Sequence, residues 1–436
     1  MAATGRETAF RCLIRMKEDG AWSNLVLDQA LRQLPDHRER QLAAALFYGV
    51  LERKITLDRT LAPLLSRPLA KLDTPVLVAL ELGLYQILWM DGIPNAAAVN
   101  ESVSLVRRSR CKSAAGMVNG VLRGFLRSGG TLPEPKGDAL AQAEFRYSMP
   151  RWILEVWEKA YGQEQAVALA AACLGRPPLQ LRVNTLKTST QALTEELLAR
   201  GIRVIAHPIL PDCLTVEGLG SVGELDLFQQ GLCYPQDTAS QLCAAAVDPQ
   251  PGERIYDLCA APGSKSFTMA QRMEDRGELL SFDLYDHRVG LIRSGAERLG
   301  IHCIEARTGD AARFDAGLGE ADRVLCDVPC SGLGVIRRKP EIRHKTPGEL
   351  QTLPPIQRAI LDNAARYVRQ GGILVYSTCT LNPGENEEIA RDFLAQHPDW
   401  AAAPLPENLG RAGHMTTLTP MEGYDGFFIA RFQRRG

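Results

Sequence analysis

The 436-residue chain carries 50 Lys and Arg against 51 Asp and Glu, a formal net charge of −1, with 45% hydrophobic and 23% charged residues. These proportions exclude a disordered chain, and the length exceeds what one hydrophobic core usually serves, so two or three domains of roughly 100–200 residues are predicted. The charge balance advertises no nucleic-acid partner; a basic footprint would have to be local, on one face or groove.

The eleven cysteines are scattered, with no CxxC pair and no Cys/His cluster at zinc spacing. A disulfide framework and a metal site are therefore not expected, and the thiols read as reduced. The first residues carry Arg6, Glu7, Arg11, Arg15, Lys17 and Glu18 without an apolar leader region. No run approaches the roughly 18 apolar residues of a membrane span, so a cytoplasmic protein without a membrane partner, read as a monomer, is predicted.

In chain order, apolar residues recur at helical spacing from Thr8 to about Arg127, as in Leu42, Leu46, Val50 and Leu77, Leu80, Leu84, with breaks at Pro35, Pro63, Pro68, Pro75 and Pro94. This predicts an all-helical domain over 1–130. The Gly- and Pro-rich run Ser128–Gly137 reads as a linker. A small α+β module over 138–235 follows, with helices at Arg151–Tyr161 and Glu164–Cys173 and a period-two strand at Leu179–Asn184. Over 236–436, strands Arg254–Cys259, Leu279–Asp283, Cys303–Ala306, Arg323–Asp327 and Gly372–Ser377 alternate with helical stretches such as Arg288–Leu299 and Ile356–Arg369. That alternation predicts a doubly wound, Rossmann-like α/β sheet.

Four features of this third domain carry chemistry. Asp257-Leu258-Cys259-Ala260-Ala261-Pro262-Gly263-Ser264-Lys265 is an apolar strand running into a small-residue turn that opens a helix. Backbone can approach a ligand closely there, and unpaired helical N–H groups can meet a carboxylate or phosphate; the bland alternative is an ordinary β–α turn. Asp283 ends the second strand, where a carboxylate can accept from a ribose diol, Asp310 follows the third strand and Asp327 closes the fourth. Each alone is more often a helix cap or turn residue. Cys330, in Asp327-Val328-Pro329-Cys330-Ser331-Gly332, and Cys379, in Ser377-Thr378-Cys379-Thr380, both follow strand ends, so both thiols fall on the rim where open sheets bind ligands. Cys12, Cys173, Cys243 and Cys326 read as small buried hydrophobes.

A rim thiol suits pyrimidine C5 chemistry, because C5 of cytosine becomes nucleophilic only after covalent addition at C6, and a thiolate is the best nucleophile for that near neutral pH. Asp327 is placed to face N3 and the exocyclic amine and polarise the ring. Spacing does not choose between the two thiols and does not identify the group that removes the C5 proton. Arg337-Arg338-Lys339, directly after the Cys330 loop, reads as a phosphate contact.

These residues resemble the NOL1/NOP2/Sun family of RNA 5-methylcytosine methyltransferases: Asp257–Lys265 its cofactor motif, Asp327–Ser331 with Arg337-Arg338-Lys339-Pro340 its proline–cysteine motif, and Thr378-Cys379-Thr380 its threonine–cysteine motif. Gln236–Ser240 resembles the lead-in to the methyltransferase domain and Gly423–Phe428 its closing hairpin. The helical part, from Arg40-Gln41-Leu42 through Gly49–Arg53 and Ile93-Pro94-Asn95 to Val118–Leu122, is similar to the NusB-type RNA-binding domain. The resemblance implies a multidomain protein: an all-α NusB-like domain, an RRM-like α+β module and a class I methyltransferase domain. NusB-like helices ahead of such a domain imply a cytosine in 16S rRNA, or a small-subunit precursor, as substrate. Another rRNA or tRNA cytosine, or a non-catalytic NusB-like assembly factor, are the alternatives. The resemblance further implies S-adenosylmethionine along Cys259, Ala260, Ala261, Pro262, Gly263, Ser264 and Lys265, with Asp283 near its ribose, Asp310 near its adenine and Asp327 near the reacting end. It makes Cys379 the nucleophile and Cys330 the helper in product release. Ser264 stands where the family usually has glycine; if its φ were positive, a cost of about 1 kcal/mol would follow, with cofactor binding still expected to be retained.

Overall fold

The computed structural model describes residues 4–19, 23–220 and 222–436. They form two compact units, one made of residues through Leu174 together with Lys339–Lys345, the other of Gly175–Arg338 and Thr346–Gly436.

The first unit is helical. Helices Gly5–Asp19, Ser23–Leu31, His37–Glu52, Lys54–Leu61, Thr74–Trp89, Asn95–Arg107 and Ala115–Arg127 pack around a core that includes Leu46, Val50, Leu80, Leu84, Val118 and Leu122. Two of the prolines read as breaks start helices instead. Pro75 lies in the first turn of Thr74–Trp89, and Pro94 precedes Asn95–Arg107. Proline's fixed φ suits a first turn, where its missing N–H costs nothing. Thr74–Trp89 is the central helix, with Val76, Val78, Leu80, Leu82 and Leu84 all at 0% exposure.

Helices Ala139–Tyr147, Arg151–Tyr161 and Gln163–Ala172 pack in this first unit. The attachment is polar as well as apolar. Thr56 Oγ1 donates to the Phe145 carbonyl at 2.6 Å, and the Ile55 N–H donates to Ser148 Oγ at 2.9 Å. Sequence periodicity reports that a helix is amphipathic but not which neighbour receives its apolar face.

The second unit holds two sheets. Strands β1 (Leu179–Val183), β2 (Arg203–Ala206), β3 (Cys213–Glu217) and β4 (Cys233–Pro235) form a small sheet in the order β2-β3-β1-β4, antiparallel throughout. Leu193 and Leu197 of helix Thr190–Ala199 share its core with Leu181, Val183 and Leu214. This is the α+β module.

The large sheet contains β5 (Arg254–Asp257), β6 (Glu278–Asp283), β7 (Ile304–Thr308), β8 (Ala321–Asp327), β9 (Val368–Thr378), β10 (Trp400–Ala402), β11 (Met415–Leu418) and β12 (Phe427–Arg434). Its order is β10-β12-β9-β8-β5-β6-β7, with β11 paired to β12. Strands β5 to β9 are parallel and β12 is antiparallel to β9. Leu325, Val375 and Ile429 face one apolar layer of the sheet, while Val324, Leu374 and Phe428 face the other. Burial on both faces explains why these strands read as continuous apolar runs rather than alternating ones.

The helix expected over 356–369 runs over Glu349–Ala365, with Pro354 and Pro355 inside it. It ends earlier because Val368 already pairs with Ala321 in the sheet.

Candidate active site

Strand β5 ends at Asp257, and the chain then makes the small-residue turn before helix Ser264–Arg272. The turn is held from both sides: the Leu258 N–H donates to the Leu325 carbonyl at 3.0 Å and the Ala260 N–H to the Phe282 carbonyl at 2.7 Å. The left-handed residue is Gly263, at φ 109°, and a Cβ there would meet Phe267 Cζ at 2.5 Å. Ser264 is the first residue of the helix and is not in the left-handed region. The strain considered for it does not arise, because the glycine one position earlier takes the turn.

Asp257 is fully enclosed. Ser266 Oγ donates to its Oδ2 at 2.7 Å, Ser281 Oγ donates to Ser266 Oγ at 3.0 Å, and Asp257 Oδ1 has no hydrogen-bond partner among the described residues. Burial pushes its carboxyl up to about 7, against the opposing Ser266 hydrogen bond and the nearby Lys265 charge. Burial and the neighbouring carboxylates also hold the Cys259 thiol well above its ordinary range.

Asp283 is buried at the end of β6, where Arg288 Nη1 lies 3.2 Å from its Oδ2 and the Tyr285 N–H donates to its Oδ1. Arg288 Nη2 also donates to the Ala261 carbonyl at 3.1 Å, so one guanidinium links the turn to Asp283. Asp310 is exposed beyond β7, caps the Ala312 N–H at 3.0 Å and pairs with Arg313 at 3.3 Å. The Gly309 N–H donates to the Asp283 carbonyl, which brings these two acidic positions onto one edge.

Asp327 ends β8 in an ion pair with Lys265, Nζ to Oδ2 2.6 Å. Burial works against the Lys265 ammonium, yet the Asp327 charge and hydrogen bond, together with Cys243 and Asp237, raise Lys265 above its ordinary value. The other oxygen, Oδ1, accepts from Ser377 Oγ at 2.9 Å, and Cys243 Sγ in turn donates to Ser377 Oγ at 3.2 Å. Cys243 is fully buried and its thiol is pushed up to about 12, first by burial and then by Asp327.

Cys330 and Cys379 come together with Sγ to Sγ 3.2 Å. They lie 49 positions apart in the chain, yet their strands β8 and β9 are neighbours in register, Asp327 opposite Ser377, so the loops after them start side by side. The Gly334 N–H donates to the Cys379 carbonyl at 3.0 Å and ties the loops together. Gly334 itself lies against Gly426, where a Cβ would meet the Gly426 carbonyl oxygen at 1.9 Å; only glycine allows that approach. The hydrogen bond with Cys379, then burial, then the Cys379 charge raise the Cys330 thiol well above its ordinary value.

Arg337 and Arg338, expected to meet phosphates, are occupied inside the unit. Arg337 donates to the Gly175 and Arg176 carbonyls, and Arg338 pairs with Asp425 and reaches the Pro178 carbonyl. Sequence reasoning missed Ser377 as a link between Asp327 and Cys243. It also missed Gln357, Asn382 and Glu385, which gather under the two thiol loops. The run Asn382-Pro383-Gly384-Glu385 after the threonine–cysteine strand was the available signal, a turn that delivers a carboxylate back to the strand end.

The order β7-β6-β5-β8-β9-β12, with the last strand reversed, is the Rossmann-like sheet of a class I methyltransferase, and its carboxyl edge is where open α/β sheets take ligands. The class of protein is thus an enzyme that transfers methyl groups. Family models match in three consecutive pieces: the NusB family over residues 3–127, the ferredoxin-like domain of RsmF/B-like methyltransferases over 149–223, and 16S rRNA methyltransferase RsmB/F over 244–433. The chain is 37% identical over 444 residues to the probable ribosomal RNA small subunit methyltransferase B of Bacillus subtilis, covering 99% of each chain. It is 34% identical over 433 residues to the ribosomal RNA small subunit methyltransferase B of Sodalis glossinidius, covering 98% of this chain and 96% of that one. A crystal structure matches it over 100% of both chains, with a TM-score of 0.84 at 25% identity. The chain belongs to the RsmB/F family of ribosomal RNA methyltransferases.

Proposed function

We propose that this protein transfers a methyl group from S-adenosylmethionine to C5 of a cytosine in 16S rRNA, through a covalent bond between Cys379 Sγ and C6 of the base. The observation that carries the reading is the pair of thiols 3.2 Å apart on the rim of the sheet, one strand from the turn that opens helix Ser264–Arg272. A methyltransferase acting on an already nucleophilic atom has no need of two adjacent thiols. Cytosine C5 needs one to add and benefits from a second when the adduct is released.

The turn over Cys259–Lys265 fits the cofactor. Gly263 has no Cβ to obstruct close approach, the helix start offers unpaired N–H groups, and Asp257 leaves one buried carboxyl oxygen unpartnered behind the turn. Asp283 and Asp310 supply acceptors on the same edge. When bound, S-adenosylmethionine supplies an electrophilic methyl group for the activated C5.

The protein's own groups do the rest. The Cys379 thiolate adds to C6, and the electron pair displaced toward N3 is held there by a proton taken from solvent, which N3 gives back as C5 attacks the methyl group. Asp327, ion-paired with Lys265, presents an acceptor to the exocyclic amine. The two sulfurs are within hydrogen-bond reach, so in this reading the S–H of Cys330 donates to the Cys379 sulfur. After methylation a base from solvent takes the C5 proton, its bonding pair re-forms the C5–C6 double bond, the C6–S pair leaves with Cys379 Sγ, and the S–H of Cys330 is placed to protonate that leaving thiolate. The target cytosine has to be unstacked for Sγ to reach C6.

The test uses RNA containing 5-fluorocytosine, whose fluorine blocks the final elimination. Wild type is expected to form a denaturation-resistant protein–RNA adduct and Cys379→Ser none. Cys330→Ala is expected to accumulate an adduct with ordinary RNA. An adduct formed by Cys379→Ser would assign the attack to the other thiol.

A further inference from the structure

Beneath the two thiol loops lies a carboxylate to which no role has been given. Glu385 is at 0% exposure, in the turn that follows β9. Its Oε2 accepts from the Ser331 N–H at 2.9 Å and from Gln357 Nε2 at 2.9 Å. Its Oε1 accepts from Ser331 Oγ at 2.5 Å and from Asn382 Nδ2 at 3.0 Å. Gln357 Nε2 also donates to the Pro329 carbonyl at 2.9 Å, so the residues on both sides of Cys330 are held from the same point.

Hydrogen counting gives the arrangement a direction. The single Ser331 hydroxyl proton goes to Glu385, so in the 2.8 Å contact between Ser331 Oγ and Thr380 Oγ1 it is Thr380 that donates. Thr380 follows Cys379 directly, and Ser331 follows Cys330 directly. The chain Thr380 to Ser331 to Glu385 therefore joins the residues next to the two thiols and ends on an acceptor-only group. Four donors converge on Glu385, and only an ionised carboxylate accepts from all of them without presenting a hydrogen of its own.

We propose that Glu385 is a positioning residue that holds Cys330 against Cys379 and thereby sets the rate at which the covalent RNA adduct is released, rather than the rate at which it forms. The proposal rests on the reading of Cys379 and Cys330 given above. Cys379 has anchors outside the proline–cysteine loop, since Thr378 pairs with Phe428 in the sheet and Asn386 Nδ2 donates to the Thr380 carbonyl at 2.9 Å. The proline–cysteine loop is held from below by three hydrogen bonds, two donated by Ser331 to Glu385 and one accepted by the Pro329 carbonyl from Gln357. Loss of Glu385 thus displaces the releasing thiol more than the attacking one.

The experiment compares wild type, Glu385→Gln and Ser331→Ala in the full-length protein. Gln keeps the shape of Glu385 but turns one acceptor into a donor that faces other donors. Both variants are expected to trap 5-fluorocytosine RNA at close to the wild-type rate. With ordinary RNA, kcat is expected to fall by about tenfold or more with little change in KM, while covalent adduct accumulates. Unchanged kcat with no accumulated adduct would overturn the proposal, and so would a parallel loss of trapping and turnover in a variant with wild-type thermal stability. If Glu385→Gln does not fold, Ser331→Ala decides by the same criteria. Failure of wild type itself to trap 5-fluorocytosine RNA would instead sink the covalent reading, a result distinguishable from failure of the Glu385 proposal.

Discussion

Asp257 is a buried carboxyl whose environment makes a pH statement. Its folded value is about 7 because burial penalises the charge, whereas an exposed aspartate in the unfolded chain titrates near 3.9. Between those values the folded state holds a proton that the unfolded state has lost. The stabilisation is complete below the unfolded value and is lost as pH rises through about 7. Asp257→Asn carries no such proton. It is expected to match wild type in thermal stability near pH 4 and to gain on it steadily toward neutrality, by a few kcal/mol at most. Parallel thermal unfolding of the two proteins across this range checks the prediction; a constant difference would show that Asp257 is ionised throughout. The sequence marks Asp257 as the end of an apolar strand, but its enclosure by Ser266 and Ser281 comes from two other elements.

At the scale of elements, the helical unit contains a buried ionic cluster that sequence periodicity does not reveal. Glu81, on the central helix, is at 0% exposure and lies 2.7 Å from Lys17 Nζ and 3.1 Å from Lys54 Nζ. Burial would raise its carboxyl, yet the two ammonium groups outweigh it and hold Glu81 below its ordinary value. The cluster joins three helices far apart in the chain. Removing one member of a buried ion pair leaves the others uncompensated, at a cost of about 3–5 kcal/mol. Glu81→Ala is expected to lose that much in denaturant unfolding followed by a probe in the helical unit; a loss under about 1 kcal/mol would mean the lysines find water without it. The apolar stripes of these helices were legible because burial imposes a period of 3.6 residues. A lone Glu inside such a stripe was not, because its partners are set by packing. The helices over 139–172 illustrate the same limit, since their amphipathic pattern does not say which unit receives them.

At the scale of the whole molecule, the substrate is tested in the cell. If this chain methylates 16S rRNA, bisulfite sequencing of 16S rRNA from a deletion strain should lose one 5-methylcytosine and regain it on complementation. Survival of every such site would move the target to another RNA. With a net charge of −1, any RNA-binding footprint has to be local. In the helical unit, Arg67 and Arg110 line an open cleft of about 700 Å³, and Arg110 also pairs with Glu18.

The sequence by itself determined the alternation of strands and helices, the turn at Gly263 and the placement of Asp283, Asp310, Asp327, Cys330 and Cys379 after strand ends. Each of these depends on local pattern: apolar runs for strands buried on both faces, and small residues where backbone reverses. The tertiary structure alone decided what meets what. Pairing of β8 with β9 brings two cysteines 49 positions apart to 3.2 Å, and it encloses Glu385 beneath them. The fold also pairs Arg337 with backbone carbonyls and Arg338 with Asp425. Strand order and the partners of buried polar groups are long-range quantities, fixed by which faces bury together, and a one-dimensional pattern carries no record of them.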